Sequence, residues 1–315
     1  MKAITKTQYG GPAVLRMQEV PKPEPQAGEV LVKVHANSAN PADWHVMRGE
    51  PKLSRVAFGL FKPKHLILGS DFAGVVEALG PNVEGLQVGD RVFGELPIQG
   101  AFAQYLCAPV AACAKMPPRA DFTHAACLPI AGLTAWQALI AHGQLQAGER
   151  VLINGASGGV GHLAVQVAKA QGAHVTAVCS ARNAEFVTGL GADAVVAYDQ
   201  EDIHRHAGHY HLVLDNQGNL THADFRRMGD RGVVIGFTTM GAMMRLMLRQ
   251  AVSRYSLKLF TAEAKAEDLA QLARLMQEGH LKPHIEKVYP SEQIPEAIGY
   301  IEAMRTRGKV AMVWE

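Results

Sequence analysis

The segment Val151-Leu152-Ile153-Asn154-Gly155-Ala156-Ser157-Gly158-Gly159-Val160-Gly161 constrains the fold of this chain more than any other. A short apolar run of strand type passes directly into a glycine-rich turn, which opens a helix-length stretch from His162 to Ala170. Gly158 and Gly159 let a backbone approach a pyrophosphate, and Gly161 permits close packing of helix on strand. Unpaired N–H groups at the helix start add partial positive charge. Ser157, Gly158, Gly159, Val160 and Gly161 are therefore the expected phosphate cradle.

A glycine pattern alone is common, so its setting decides. From about residue 120, apolar runs at Val151 to Ile153, Val175 to Val178, Ala194 to Ala197, Leu212 to Leu214, Val233 to Phe237 and Leu257 to Phe260 alternate with helix-length segments. That alternation belongs to βαβ units around a buried parallel sheet. The predicted fold class is α/β, with a doubly wound nucleotide-binding domain over residues 121–262. The first third reads differently, as short antiparallel strands at Glu29 to Ala36, Ala73 to Leu79, Asp90 to Phe93 and Phe102 to Ala108. The run Pro21-Lys22-Pro23-Glu24-Pro25 has too few backbone donors for a sheet interior and is expected as an extended surface linker. After Thr261 a helix from Glu267 to Glu278, a strand from His284 to Tyr289, a helix from Ser291 and a strand from Lys309 to Trp314 are expected to rejoin the β module. The second domain then comprises residues 1–120 and 263–315.

Composition narrows the partners. The 31 basic and 29 acidic residues leave a formal charge of +2, and no basic stripe advertises a nucleic-acid or membrane surface. A small, neutral, apolar molecule is the expected partner. The amino terminus alternates like a strand, without the apolar core of a signal peptide, and no uninterrupted apolar run is long enough to span a bilayer. A cytoplasmic location is expected. Cys107, Cys113, Cys127 and Cys179 are scattered and contain no C-x-x-C pair, which fits reduced thiols in or near cores.

Two features refine the cofactor. A site that prefers NAD places Asp or Glu at the end of the second strand, about 20 residues after the glycine turn, to hold the ribose 2′-OH. Here Val175 to Val178 leads into Cys179-Ser180-Ala181-Arg182-Asn183, which offers a hydroxyl and a guanidinium suited to a 2′-phosphate. NADPH is the expected cofactor. Phe237 and Thr238, at the carboxyl edge of the fifth strand, are placed to meet its nicotinamide.

Six runs in order, Asn40-Pro41-Ala42-Asp43, Leu68 to Gly74, Val88 to Val92, Gly100 to Ala103, Gly132 to Ala135 and Ala156 to Gly161, resemble the zinc-independent quinone oxidoreductases of the medium-chain dehydrogenase/reductase superfamily. The resemblance covers nearly the whole chain. It implies a GroES-like β domain joined to a Rossmann-type domain, with the active site in the cleft. In zinc-dependent relatives a Cys stands at the position of Asn40, a Gly-His-Glu at Gly69-Ser70-Asp71, and a third Cys near Ile130. Asn, Ser and Ile cannot rebuild a zinc site, so no metal is expected. The histidine-rich run His204 to His211 is read as a solvated turn rather than a rival site.

The resemblance also assigns roles. Asn40 lines the reacting pocket as a donor to the substrate oxygen, Thr134 lies near the nicotinamide, and Ser180, Arg182, Tyr198 and Lys309 approach the adenosine phosphate end. Asp43 holds the loop together. His45 is a candidate for the second proton or, equally, a packing residue. Trp44 replaces a Tyr or Lys found in some relatives, and an indole cannot serve as their proton donor. Without a metal the chemistry indicated is hydride transfer from NADPH to a quinone or an α,β-unsaturated carbonyl. A non-enzymatic NADPH-binding protein is the alternative class, and a zinc alcohol dehydrogenase a second alternative. The Met-rich stretch Met240 to Leu248 is left between core, subunit surface and pocket wall. The apolar last strand, Leu257 to Phe260, suggests a homodimer through edge pairing.

Overall fold

The computed structural model describes residues 1–96, 99–206, 210–236 and 239–314. The chain forms strands β1 (Lys2–Thr5), β2 (Arg16–Glu19), β3 (Glu29–Ala39), β4 (Asp71–Leu79), β5 (Arg91–Glu95), β6 (Tyr105–Pro109) and β7 (Cys113–Lys115). Next come β8 (Arg150–Asn154), β9 (His174–Cys179), β10 (Ala194–Ala197), β11 (Tyr210–Asp215), β12 (Gly229–Val234) and β13 (Ser256–Leu259). The last two are β14 (Ile285–Pro290) and β15 (Lys309–Val313). Two compact units result: Met1–Leu133 with Glu263–Gln277 and Pro283–Glu315, and Thr134–Ala262 with Glu278–Lys282. Composition changes near residue 120, but the helix Phe122–Ala126 packs on β3 and β4, which carries the boundary on to Leu133.

In the first unit the eleven-residue β3 is the organising strand, pairing antiparallel with β4, β6 and β15. At its start the β-branched Val30, Val32 and Val34 are buried and join Phe72, Val76 and Met312 in one core. The sheet runs β14-β15-β3-β4-β5-β7, so the carboxyl-terminal tail returns to this unit. At the end of β3 the buried residues turn polar. Asn37 donates to the carbonyls of Asp71 and Ala101 and accepts from the Trp314 indole, which satisfies a side chain with no exposure. Asn40 is extended (φ −130°, ψ 154°), and the helix Pro41–Arg48 begins with a proline whose missing N–H costs nothing there. It stops at Gly49, which adopts the left-handed conformation at φ 63°.

In the second unit the order β10-β9-β8-β11-β12-β13 is parallel throughout, and the chain reverses direction across the sheet between β8 and β11. That reversal is the topological switch point of a Rossmann-like sheet, where ligands bind at the strands' carboxyl ends. β12 starts at Gly229, earlier than the apolar run at Val233 implies. Gly229 and Gly232 conceal it, since glycine is a poor strand former, yet a Cβ on Gly232 would lie 2.4 Å from the Phe225 ring. The Met-rich segment is the helix Met240–Ala251, with Leu246 buried and Met244, Met247 and Leu248 about half exposed or more. β13 ends the sheet and alternates, with Leu257 buried and Lys258 exposed. Among the described residues no helix is long and apolar enough to cross a membrane.

Candidate functional site

At the switch point β8 ends in Asn154, and the chain turns at Gly155 (φ 79°), where a Cβ would strike the Gln217 side chain at 2.4 Å. The N–H groups of Gly155 and Ala156 bond the Val178 carbonyl, fastening the turn to β9. Two glycines then do different work. A Cβ on Gly161 would fall 2.1 Å from the Gly155 oxygen, so only glycine lets the helix Gly161–Ala170 start so close to the strand. A Cβ on Gly158 would meet only the Gly155 oxygen, at 3.6 Å, leaving that face open for an approaching phosphate. The glycine cradle thus fits a dinucleotide pyrophosphate at a helix N-terminus.

Ser157 and Ser180, assigned to this cradle and to the adenosine end, are brought together by Asn183. Its amide donates to Ser157 Oγ at 3.0 Å and to Ser180 Oγ at 3.3 Å. Sequence reasoning missed Asn183 because only folding sets the turn after β9 beside that after β8. Arg182 is exposed in the same short turn, and Tyr198 is exposed just beyond β10. No acid ends β9, but Asp199, next to Tyr198, accepts from the Ala181 N–H at 2.8 Å and brings a carboxylate to the Arg182 turn. Asp215, at the end of β11, is also new to the site. It accepts from Asn154 Nδ2 and from the N–H groups of Gln217, Gly218 and Leu220, which fixes the loop beside the cradle. Thr134 is buried in the helix Pro129–Trp136. Phe237 and Thr238 lie outside the described residues.

The first unit holds a buried polar cluster around Asn40. The Asn40 N–H donates to Asp43 Oδ2 at 2.7 Å, and its side-chain amide donates to Asp71 Oδ2 at 2.8 Å. Lys309 Nζ donates to Asn40 Oδ1 at 2.5 Å and to the Ala39 carbonyl at 3.4 Å, and lies 3.5 Å from Asp71 Oδ2. The resemblance set Lys309 near a cofactor phosphate; with 3% exposure, its ammonium is bonded within the Asn40 cluster. On β15 the residue could point to either face, and the fold turned it inward.

Carboxylates outnumber cations in the cluster. Burial pushes Asp43 up to about 7, reinforced by Asp71 and opposed by the Asn40 N–H and Lys309. Burial, with Asp71 and Asp43 adding to it, pushes Glu95 up to about 8. Asp43 Oδ1 and Glu95 Oε2 are buried without a hydrogen-bond partner among the described residues. Raised carboxyls stabilise the fold fully only below the ordinary carboxylate range, and that contribution is lost as pH climbs through about 7 and about 8. Thermal melts should therefore show Tm falling from about pH 5 to about pH 8, less steeply in Glu95→Gln. An identical slope in that variant would contradict the assignment.

His45 stands apart from these bonds. Its ring stacks on Trp44 with centroids 3.6 Å apart, and Nδ1 is buried without a partner among the described residues. Burial lowers its pKa against the pull of Glu50 and Glu302. A neutral imidazole stores no proton near neutrality, which favours its packing role. The described histidines of the histidine-rich run do not converge either. His206 approaches Glu201, whereas His211 accepts from the Arg150 N–H, and no group of three His, Cys, Asp or Glu among the described residues is placed to hold a metal.

Two family models match, the alcohol dehydrogenase GroES-like domain over residues 26–118 and the zinc-binding dehydrogenase over residues 190–312. The chloroplast envelope quinone oxidoreductase homolog of Arabidopsis thaliana is 34% identical over 314 residues, covering 94% of this chain and 93% of its own. The quinone oxidoreductase of Homo sapiens is 32% identical over 311 residues, covering 94% and 92%. Among solved structures, the quinone oxidoreductase from Coxiella burnetii superimposes with a TM-score of 0.86 at 30% identity over 99% of both chains. Likeness of this extent, carried by both units, shows that the chain belongs to the quinone oxidoreductase branch of the medium-chain dehydrogenase/reductase superfamily.

Proposed function

We propose that this protein is a zinc-independent, NADPH-dependent reductase of quinones or α,β-unsaturated carbonyls. The observation that carries the reading is the polar cluster at Asn40, which offers a hydrogen-bond donor where zinc-dependent relatives carry a thiolate. A bound nicotinamide would supply a hydride, which suits an acceptor carbon already made electron-poor by conjugation. The backbone from Ser157 to Gly161 binds the pyrophosphate, while Ser180, Arg182 and Tyr198 receive the 2′-phosphate. Asn40 has one amide hydrogen on Asp71, and its other faces the Ser38 carbonyl at a long 3.4 Å. That weakly held N–H is the donor left for a substrate oxygen. His45, neutral through burial, leaves the second proton to solvent. Supporting names include a trans-enoyl reductase of Aspergillus terreus, 33% identical over 318 residues, and the CurK enoyl reductase, TM-score 0.84 at 26% identity.

Scattered thiols without disulfides fit a cytosolic enzyme, and the terminal position of β13 fits a homodimer joined there, for which light scattering at micromolar concentration should give twice the chain mass. A monomer would remove the dimer alone. For the activity, NADPH should be consumed with quinones, enals and enones, and NADP⁺ should not be reduced by saturated alcohols. Alcohol oxidation, or binding without turnover across the acceptors, would contradict the reading.

A further inference from the structure

One of the matching family models is described by zinc, yet the three positions that ligate it in zinc-dependent relatives carry an amide, a hydroxyl and an aliphatic side chain here. Zinc requires thiolate, imidazole or carboxylate donors, and Asn40, Ser70 and Ile130 do not supply them. These positions nonetheless converge. Asn40 Nδ2 donates to Asp71 Oδ2 at 2.8 Å, the Ile130 N–H donates to Asp71 Oδ1 at 2.9 Å, and Ser70 is the chain neighbour of Asp71. At their meeting point stands a cation of the chain's own, the Lys309 ammonium, 3.5 Å from Asp71 Oδ2 and bonded to Asn40 Oδ1.

We propose that Lys309 is a positioning residue whose tethered ammonium replaces a metal's charge at this site and fixes the orientation of the Asn40 amide. The chemistry admits one orientation. An ammonium can only donate, and an ionised carboxylate can only accept, so Asn40 must turn Oδ1 to Lys309 and Nδ2 to Asp71. A flipped amide would set NH₂ against NH₃⁺ and a carbonyl against a carboxylate, in a site only 2% exposed at Asn40 and fully enclosed at Asp71. The remaining amide hydrogen then has a fixed direction. Asp71 is itself held by the Ser38 hydroxyl at 2.7 Å as well as by Asn40 and Ile130, so the frame around the ammonium is rigid.

The inference rests on the reading of Asn40 as the substrate-facing donor, and its test separates the two. Lys309→Met should lower turnover about as far as Asn40→Ala, roughly tenfold to several hundredfold, while leaving NADPH affinity within about twofold. Because both substitutions disable one amide, the double variant should be no slower than the slower single. Losses that multiply would overturn the proposal. Two readouts need no substrate. Lys309→Met should lower Tm by roughly 5 to 15 °C through the unpaired Asp71, and adding Asp71→Asn should recover at least half of that. A further drop in the double variant would overturn the pairing, and stoichiometric zinc uptake by the unaltered protein in calorimetry would overturn the metal replacement. Should Lys309→Met fail to fold, Lys309→Met/Asp71→Asn is assayed for turnover in its place, with Asp71→Asn alone as reference and the same loss expected. Unchanged turnover in Asn40→Ala removes the donor reading, while the Tm cycle and the zinc titration still decide the place of Lys309.

Discussion

Asn40→Ala should lower turnover with a conjugated acceptor by roughly tenfold to several hundredfold and leave NADPH affinity nearly unchanged. A hydrogen bond that strengthens as charge builds on the acceptor oxygen acts on the transition state, whereas the phosphate cradle proposed at Ser157 through Gly161 belongs to the other unit. The substitution also removes an acceptor from Lys309 and a donor from Asp71, so Tm should fall too. Stopped-flow turnover beside fluorescence titration of NADPH separates these effects. Parallel losses of turnover and cofactor affinity would mean that Asn40 supports the fold and does not face the substrate, and full turnover would remove it from the reaction.

Arg182→Ala should weaken NADPH by about 1.5 to 3 kcal/mol, the cost of one charge-assisted bond, which is roughly ten- to 150-fold in affinity. NADH should bind the variant as it binds the unaltered protein. Asp199 sharpens this expectation: its carboxylate caps the Ala181 N–H in the same turn and would repel a 2′-phosphate, so on the proposed NADPH reading the exposed guanidinium has to supply the compensating attraction. Calorimetric titration of both cofactors is the check. Equal losses for NADPH and NADH would show that Arg182 does not read the 2′-phosphate.

Strand–helix alternation made the parallel sheet legible, and the Val151 to Gly161 segment located its switch point, since both follow from local periodicity and from the space a Cβ needs. β12 was legible only in its last two residues, Val233 and Val234, because Gly229 and Gly232 are chosen by contact with Phe225 and by close strand approach, which no local pattern reveals. Site residues divide in the same way. Asn40 stood out through the runs around it, whereas Asn183 and Asp199 join the cofactor turn only after β8, β9 and β10 lie side by side. The surroundings of Lys309 were hidden for a related reason. The resemblance set it near a phosphate, but the side of β15 it faces is set by long-range pairing with β3, and that pairing buries it against Asn40.

The central claim, hydride transfer from a reduced nicotinamide to a conjugated acceptor, is tested most directly with NADPH deuterated at the transferred position. Single-turnover reaction with an enone, followed by mass and magnetic resonance analysis of the product, should find one deuterium at the β-carbon and a slowed transfer step. Product free of deuterium, or a semiquinone radical seen by spin resonance when a quinone replaces the enone, would contradict it.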